Sequence, residues 1–106
     1  MMSNDDRKLL EALAQRIQDF YPGVRVWAFG SRARGDATWE SDFDVFIVLP
    51  VKDQLAESKI RDLCWEIGFE CSRVITTVII EQSQFEHGPM SESTLVENIL
   101  REGIEA

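Results

Sequence analysis

Apolar residues recur along this chain with two periods, and the switches between them mark its elements. Leu9, Leu10, Leu13, Ile17 and Phe20 lie at helical spacing over residues 5–20. Asn4 or Asp5 is the expected N-cap, and Tyr21-Pro22-Gly23 ends the helix and turns the chain. Residues 24–29 read as a strand, with Val24, Val26 and Ala28 on one face and Arg25, Trp27 and Phe29 on the other. A polar loop follows over residues 36–41. A second strand over residues 42–49 stops at Pro50. Ala56, Ile60, Leu63, Cys64 and Ile67 give a helical face over residues 53–67, with Gly68 as the expected C′ residue. Residues 73–80 are β-branched and apolar, a third strand. A helix between two strands is a crossover, so the second and third strands are expected to be neighbours. Ser83 is the expected cap of a short turn through Glu86, and His87-Gly88-Pro89 is read as loop. The last helix begins near Ser93, with Thr94 and Glu97 in capping-box spacing. Leu95, Val96, Ile99 and Leu100 form its stripe, and Gly103 ends it.

The chemistry concentrates where the first strand runs into the second. Side chains alternate along a strand, so Asp42 and Asp44 are expected on one face, ~7 Å apart at ~3.3 Å per residue. Carboxylates this close repel one another, and a divalent cation relieves the repulsion. Mg²⁺ favours one or two carboxylates together with waters and substrate phosphates. Taken alone, Asp-x-Asp also suits a solvated loop before a strand. Gly30-Ser31, just upstream, supplies a residue free to take positive φ and a hydroxyl able to cap a short helix from Arg32 onward. Such a turn points free N–H groups at an anion, and Arg32 and Arg34 add groups shaped for phosphate oxygens. Taken alone, Gly-Ser-Arg also suits an ordinary turn. Ser31 and Asp42 are only 11 positions apart, so cradle and acid pair together describe a site for a metal-bound polyphosphate. Trp39, in the intervening loop, either stacks on a base or covers its own loop.

Gly30-Ser31, Arg34-Gly35 and Ser41-Asp42-Phe43-Asp44, followed by apolar residues, resemble the signature of the DNA polymerase β-type nucleotidyltransferases, specifically the minimal nucleotidyltransferases. The motif spans about a fifth of the chain, and the closing run from Asn98 to Ile104 is similar as well. The resemblance implies an α/β (α+β) fold, with a mixed β-sheet of three to four strands flanked by helices. It implies an Mg²⁺-dependent enzyme (Mn²⁺ as substitute) that moves a nucleoside monophosphate from an NTP, ATP foremost, to a hydroxyl of a protein or small molecule. Asp42 and Asp44 then act as metal-binding catalytic residues. Gly30, Ser31, Arg32, Arg34 and Ser41 bind nucleotide. Such proteins often act beside a helical HEPN protein as the antitoxin of a toxin–antitoxin pair. They usually carry a third carboxylate on a later strand. Here Thr76 or Thr77 stands where it is expected, and Glu70 and Glu81 are the nearest acids. That departure supports an alternative, a degenerate module that binds NTP or a partner without chemistry.

At 106 residues the chain is expected to form one domain over residues 1–106. A chain of this size buries about 65% of its unfolded surface, enough for a core without staples. A net charge of −8 argues against direct nucleic-acid binding. It leaves nucleotide binding open, because Arg32 and Arg34 concentrate positive charge locally. No apolar run approaches about 18 residues, so no membrane span is expected. The polar start from Met1 to Lys8 gives no sign of a signal peptide. Cys64 and Cys71 lack metal-ligand spacing and read as free thiols of a cytoplasmic protein, Cys64 as a core residue. Self-association is compatible with all of this.

Overall fold

The computed structural model describes residues 1–88 and 92–106. Among the described residues the elements follow in the order α1 (Asn4–Phe20), β1 (Arg25–Phe29), α2 (Gly30–Arg34), β2 (Phe43–Leu49), α3 (Gln54–Cys71), β3 (Ile75–Glu81), α4 (Gln82–Glu86), α5 (Thr94–Glu102) and β4 (Ile104–Glu105). The strands form one mixed sheet in the order β3-β2-β1-β4. β1 runs antiparallel to β2 and β4, and β2 runs parallel to β3 through the α3 crossover. The sheet is therefore the mixed, helix-flanked one expected.

Strand alternation divides the core in two. Val24, Val26, Ala28, Phe43, Val45, Ile47 and Leu49 pack with the apolar faces of α1 and α3. Trp27, Phe46, Val48 and Ile80 point the other way, toward Phe85 of α4 and Val96 and Ile99 of α5. Trp27, Phe46 and Phe85 form a ring cluster on that second face, with centroids 5.4–6.1 Å apart. β2 is central and buried on both faces, which explains its continuous apolar run.

Several local expectations are corrected. Ser3, not Asn4 or Asp5, caps α1, and its hydroxyl accepts the Asp6 N–H. Phe20, placed on the buried stripe, is exposed, and Lys59 sits over its ring. Gly68 does not end α3. The helix runs one turn further to a left-handed Ser72, and the returning chain crosses close to Gly68, whose carbonyl accepts the Arg73 N–H at 2.8 Å. A Cβ there would come 2.6 Å from the Arg73 carbonyl oxygen. Glu81, not Ser83, occupies the N-cap of α4, and Gln84 completes its capping box. The cap of α5 is the Ser93 hydroxyl on the Val96 N–H. Leu100 is exposed, whereas Val96 and Ile99 are buried. β4 is an added edge, with Trp27 opposite Glu105. Pro89, read as loop with His87 and Gly88, lies outside the described residues. Among the described residues no helix is long and apolar enough to cross a membrane.

Candidate active site

The β1–α2 corner and the start of β2 meet because of the sheet register. Phe29, the last residue of β1, lies opposite Asp44. Gly30 therefore turns the chain immediately beside that carboxylate. Its φ of +74° is left-handed, and a Cβ on it would stand 2.6 Å from Asp44 Oδ2. Only a residue without a side chain permits this corner. α2 then makes a single short turn, closed by Gly35 at φ +84°.

The sequence-predicted residues divide by what they touch. Asp44 is half-buried, on the sheet face shared with Phe46 and Val48. Its Oδ1 accepts the hydroxyl of Thr76, its partner in the β2–β3 register. Asp42 was expected inside the second strand. It lies one residue before β2 and is exposed. Ser31 was expected to cap a helix starting at Arg32. Instead α2 starts at Gly30, Ser31 lies inside it, and the N-cap Phe29 offers no side-chain bond. The Ser41 hydroxyl accepts the Thr38 N–H at 3.0 Å and shapes the turn that leads to Asp42. Arg34 is half-exposed, with Asp36 at 3.2 Å and Glu102 at 3.8 Å. Arg32 is more enclosed. It donates to the Ser41 carbonyl at 3.0 and 3.3 Å and pairs with Asp6 at 3.4 Å. Trp39 is 88% exposed and so does not cover its own loop.

The donor set suits a hard divalent cation. Among the described residues neither Asp42 nor Asp44 has a cationic partner, and no cluster of three His, Cys, Asp or Glu side chains is assembled. An ion held by the pair would complete its shell with water and phosphate oxygens, the arrangement Mg²⁺ favours. The other candidate acids lie elsewhere. Glu70 pairs with Arg16 of α1 at 3.1 Å. Glu81 lies opposite Leu49, at the far end of β2 from Asp44. The Lys52 N–H, and then the Ser83 hydroxyl, hold its carboxyl below the ordinary range. Of the two threonines, Thr76 stands beside Asp44, while Thr77 accepts Arg61 at 2.6 Å.

Sequence reading missed Asp6. It is 3% exposed and bridges Arg32 and Arg73 at 3.4 and 2.8 Å. Its place in the first turn of an amphipathic helix gave no sign of this, because acids are ordinary there.

A mixed sheet with a glycine corner against an aspartate at its centre defines a nucleotidyltransferase-type α/β domain. The nucleotidyltransferase domain family matches residues 7–104, and the chain belongs to that family. A comparison with curated proteins returned no match. Solved structures share the fold at low identity. One is a toxin–antitoxin MntA–HpeT mutant with two aspartate-to-glutamate changes two positions apart. It is 15% identical, with a TM-score of 0.62, covering 90% of this chain and 69% of that one. Another is a tri-AMPylated Shewanella oneidensis HEPN toxin in complex with MNT antitoxin, 14% identical, with a TM-score of 0.57, covering 94% and 70%. A nucleotidyltransferase from Sulfolobus solfataricus is 16% identical, with a TM-score of 0.54, covering 92% and 76%.

Proposed function

We propose that this chain binds a metal-complexed NTP, ATP foremost, and transfers its nucleoside monophosphate to a hydroxyl of a partner protein, with a HEPN-type toxin as the leading acceptor. One observation carries the reading. The Gly30 corner lies against the Asp44 carboxylate so closely that a single added carbon would collide with it. A corner built this tightly sets the Gly30 backbone and the Asp44 carboxylate side by side, so that one ligand can touch both. The HEPN assignment rests on the similar complex that contains an AMPylated HEPN toxin.

In this reaction the acceptor oxygen attacks the α-phosphorus. The bond to the bridging oxygen breaks, pyrophosphate leaves, and the acceptor proton passes to solvent or a nearby acid. Asp42 and Asp44 would hold Mg²⁺ or Mn²⁺, which when bound neutralises triphosphate charge and aligns nucleophile and leaving group. Gly30 admits the phosphates beside Asp44, and the Ser31 hydroxyl hydrogen-bonds them. Arg34, half-exposed, exchanges Asp36 and Glu102 for phosphate oxygens. Arg32 supplies charge from behind and holds Ser41, hence the backbone entering Asp42. Thr76 orients Asp44.

A second reading is favoured by Thr76 itself. A neutral hydroxyl stands beside Asp44, and it can serve neither as base nor as strong metal ligand. On that reading the domain binds NTP or its partner without chemistry.

The test is incubation with Mg²⁺, labelled ATP and HEPN-type proteins as candidate acceptors. Transfer of label with release of pyrophosphate, abolished in Asp44→Asn, supports the enzyme. Nucleotide binding with no label transfer for any NTP supports the second reading.

A further inference from the structure

Asp6 lies outside the motif that carries the chemistry, yet it is the one buried charged residue among those described. Its carboxylate ties together two arms. In the first, Arg32 donates from Nη1 to Asp6 Oδ2 at 3.4 Å, and from Nε and Nη2 to the Ser41 carbonyl at 3.3 and 3.0 Å. In the second, Arg73 donates from Nη2 to Asp6 Oδ1 at 2.8 Å. The next residue, Val74, accepts the Phe43 N–H at 2.8 Å, and the Arg73 guanidinium lies over the Phe43 ring at 5.5 Å.

The two arms end on either side of one residue. Ser41 precedes Asp42 and Phe43 follows it, and Asp42 makes no hydrogen bond or ion pair of its own among the described residues. From this geometry we infer that Asp6 is a positioning residue for Asp42. By holding Arg32 and Arg73 at fixed places, it clamps the backbone on both sides of an exposed carboxylate that nothing else restrains. The inference rests on the metal-nucleotide reading of the site, because only a ligand needs Asp42 held still.

The alternative is a plain structural ion pair. The arrangement argues against it, because the remaining Arg32 bonds go to the Ser41 carbonyl and the Arg73 guanidinium lies over the Phe43 ring, both at the Asp42 segment rather than on the helix that carries Asp6. Groups that fix a metal-binding residue in place change metal affinity without touching the ion, and here the effect passes through Arg32 and Arg73 to the backbone around Asp42. Asp6→Asn keeps the side chain's shape and removes its charge. Arg32 and Arg73 then face each other without compensation, and the fork on Ser41 loosens.

The experiment compares wild type with Asp6→Asn by amide hydrogen exchange, and by titration with Mn²⁺ in the presence of AMP-PNP. Arg73→Gln, which cuts only the second arm, serves if Asp6→Asn fails to fold. The expected result is exchange at Phe43 faster by at least about tenfold, no comparable change at Ile47 in the centre of β2, and Mn²⁺-nucleotide binding weaker by about 10- to 100-fold. Equal acceleration at Phe43 and Ile47 marks a merely structural pair and overturns the inference. A wild type that binds no Mn²⁺-nucleotide overturns the proposed function. If wild type and variant both bind with equal affinity, only the positioning role is overturned.

Discussion

Replacing Gly30 by alanine puts the account under the most local stress. The residue sits at φ +74°, and the new Cβ would stand 2.6 Å from Asp44 Oδ2. Two effects follow. A left-handed conformation with a side chain costs about 1–2 kcal/mol. Ordinary carbon–oxygen contact begins near ~3.4 Å, so the carboxylate must withdraw by roughly 1 Å. It cannot do so freely, because its other oxygen is held by Thr76. Urea denaturation should show a loss of about 1–3 kcal/mol, a midpoint shift of roughly 1–2 M. A 1 Å displacement of a group that holds substrate can lower transfer by about 100-fold, which label transfer from ATP would read. Gly35→Ala supplies the control. Its φ is +84°, but its Cβ meets the Met1 main chain rather than Asp44. It should carry the strain and spare the chemistry. If Gly30→Ala loses stability as expected but binds and transfers nucleotide within about twofold of wild type, the corner and the aspartate do not form one site.

Further outcomes follow at Thr76, Phe46 and Cys64. Thr76→Asp places a third carboxylate beside Asp44 and should raise transfer if that acid is limiting. Label transfer from ATP reads that change. Thr76→Val should weaken metal-nucleotide binding by freeing Asp44, which calorimetry reads; unchanged affinity contradicts the orienting role. Phe46→Ala removes a fully buried ring that touches Trp27 and Phe85, and should cost about 3–5 kcal/mol in urea denaturation; a loss below about 1 kcal/mol contradicts the packing described. Burial pushes the Cys64 thiol up to about 12, against a partial offset from Arg61. The folded state thus keeps a proton that the unfolded state releases near ~8.5. Stability from this group is intact below that pH and falls as pH rises toward 12. In native protein, iodoacetamide should label exposed Cys71 and leave buried Cys64 untouched; equal labelling rates refute the burial.

What the chain disclosed in advance, and what it hid, follow from the range of the interactions. The stripe of α1, the apolar run of β2 and the neighbouring of β2 and β3 were legible, because periodicity and crossover rules act within one or two elements. Caps were read one or two residues late at α1, where Asn4 and Asp5 are as good as Ser3, and two residues late at α4, where Ser83 is a commoner cap type than Glu81. Gly68 looked like a helix stop, yet it is small because the Arg73 backbone passes over it, a contact no local pattern reveals. β4 has two residues, too few to show a period. At the site, the glycine corner and the acids carried local signals. The choice of Thr76 over Thr77, and the role of Asp6, depended on register and on contacts spanning up to 67 positions.

Whether the Gly30 corner and the acids at Asp42 and Asp44 receive a metal-bound triphosphate is decided by calorimetric titration with ATP and Mg²⁺. The account predicts saturable binding on the order of micromolar in wild type, dependent on Mg²⁺ and weakened at least about tenfold in Asp42→Asn and Asp44→Asn. Absence of binding in wild type, or equal binding in both variants, contradicts it.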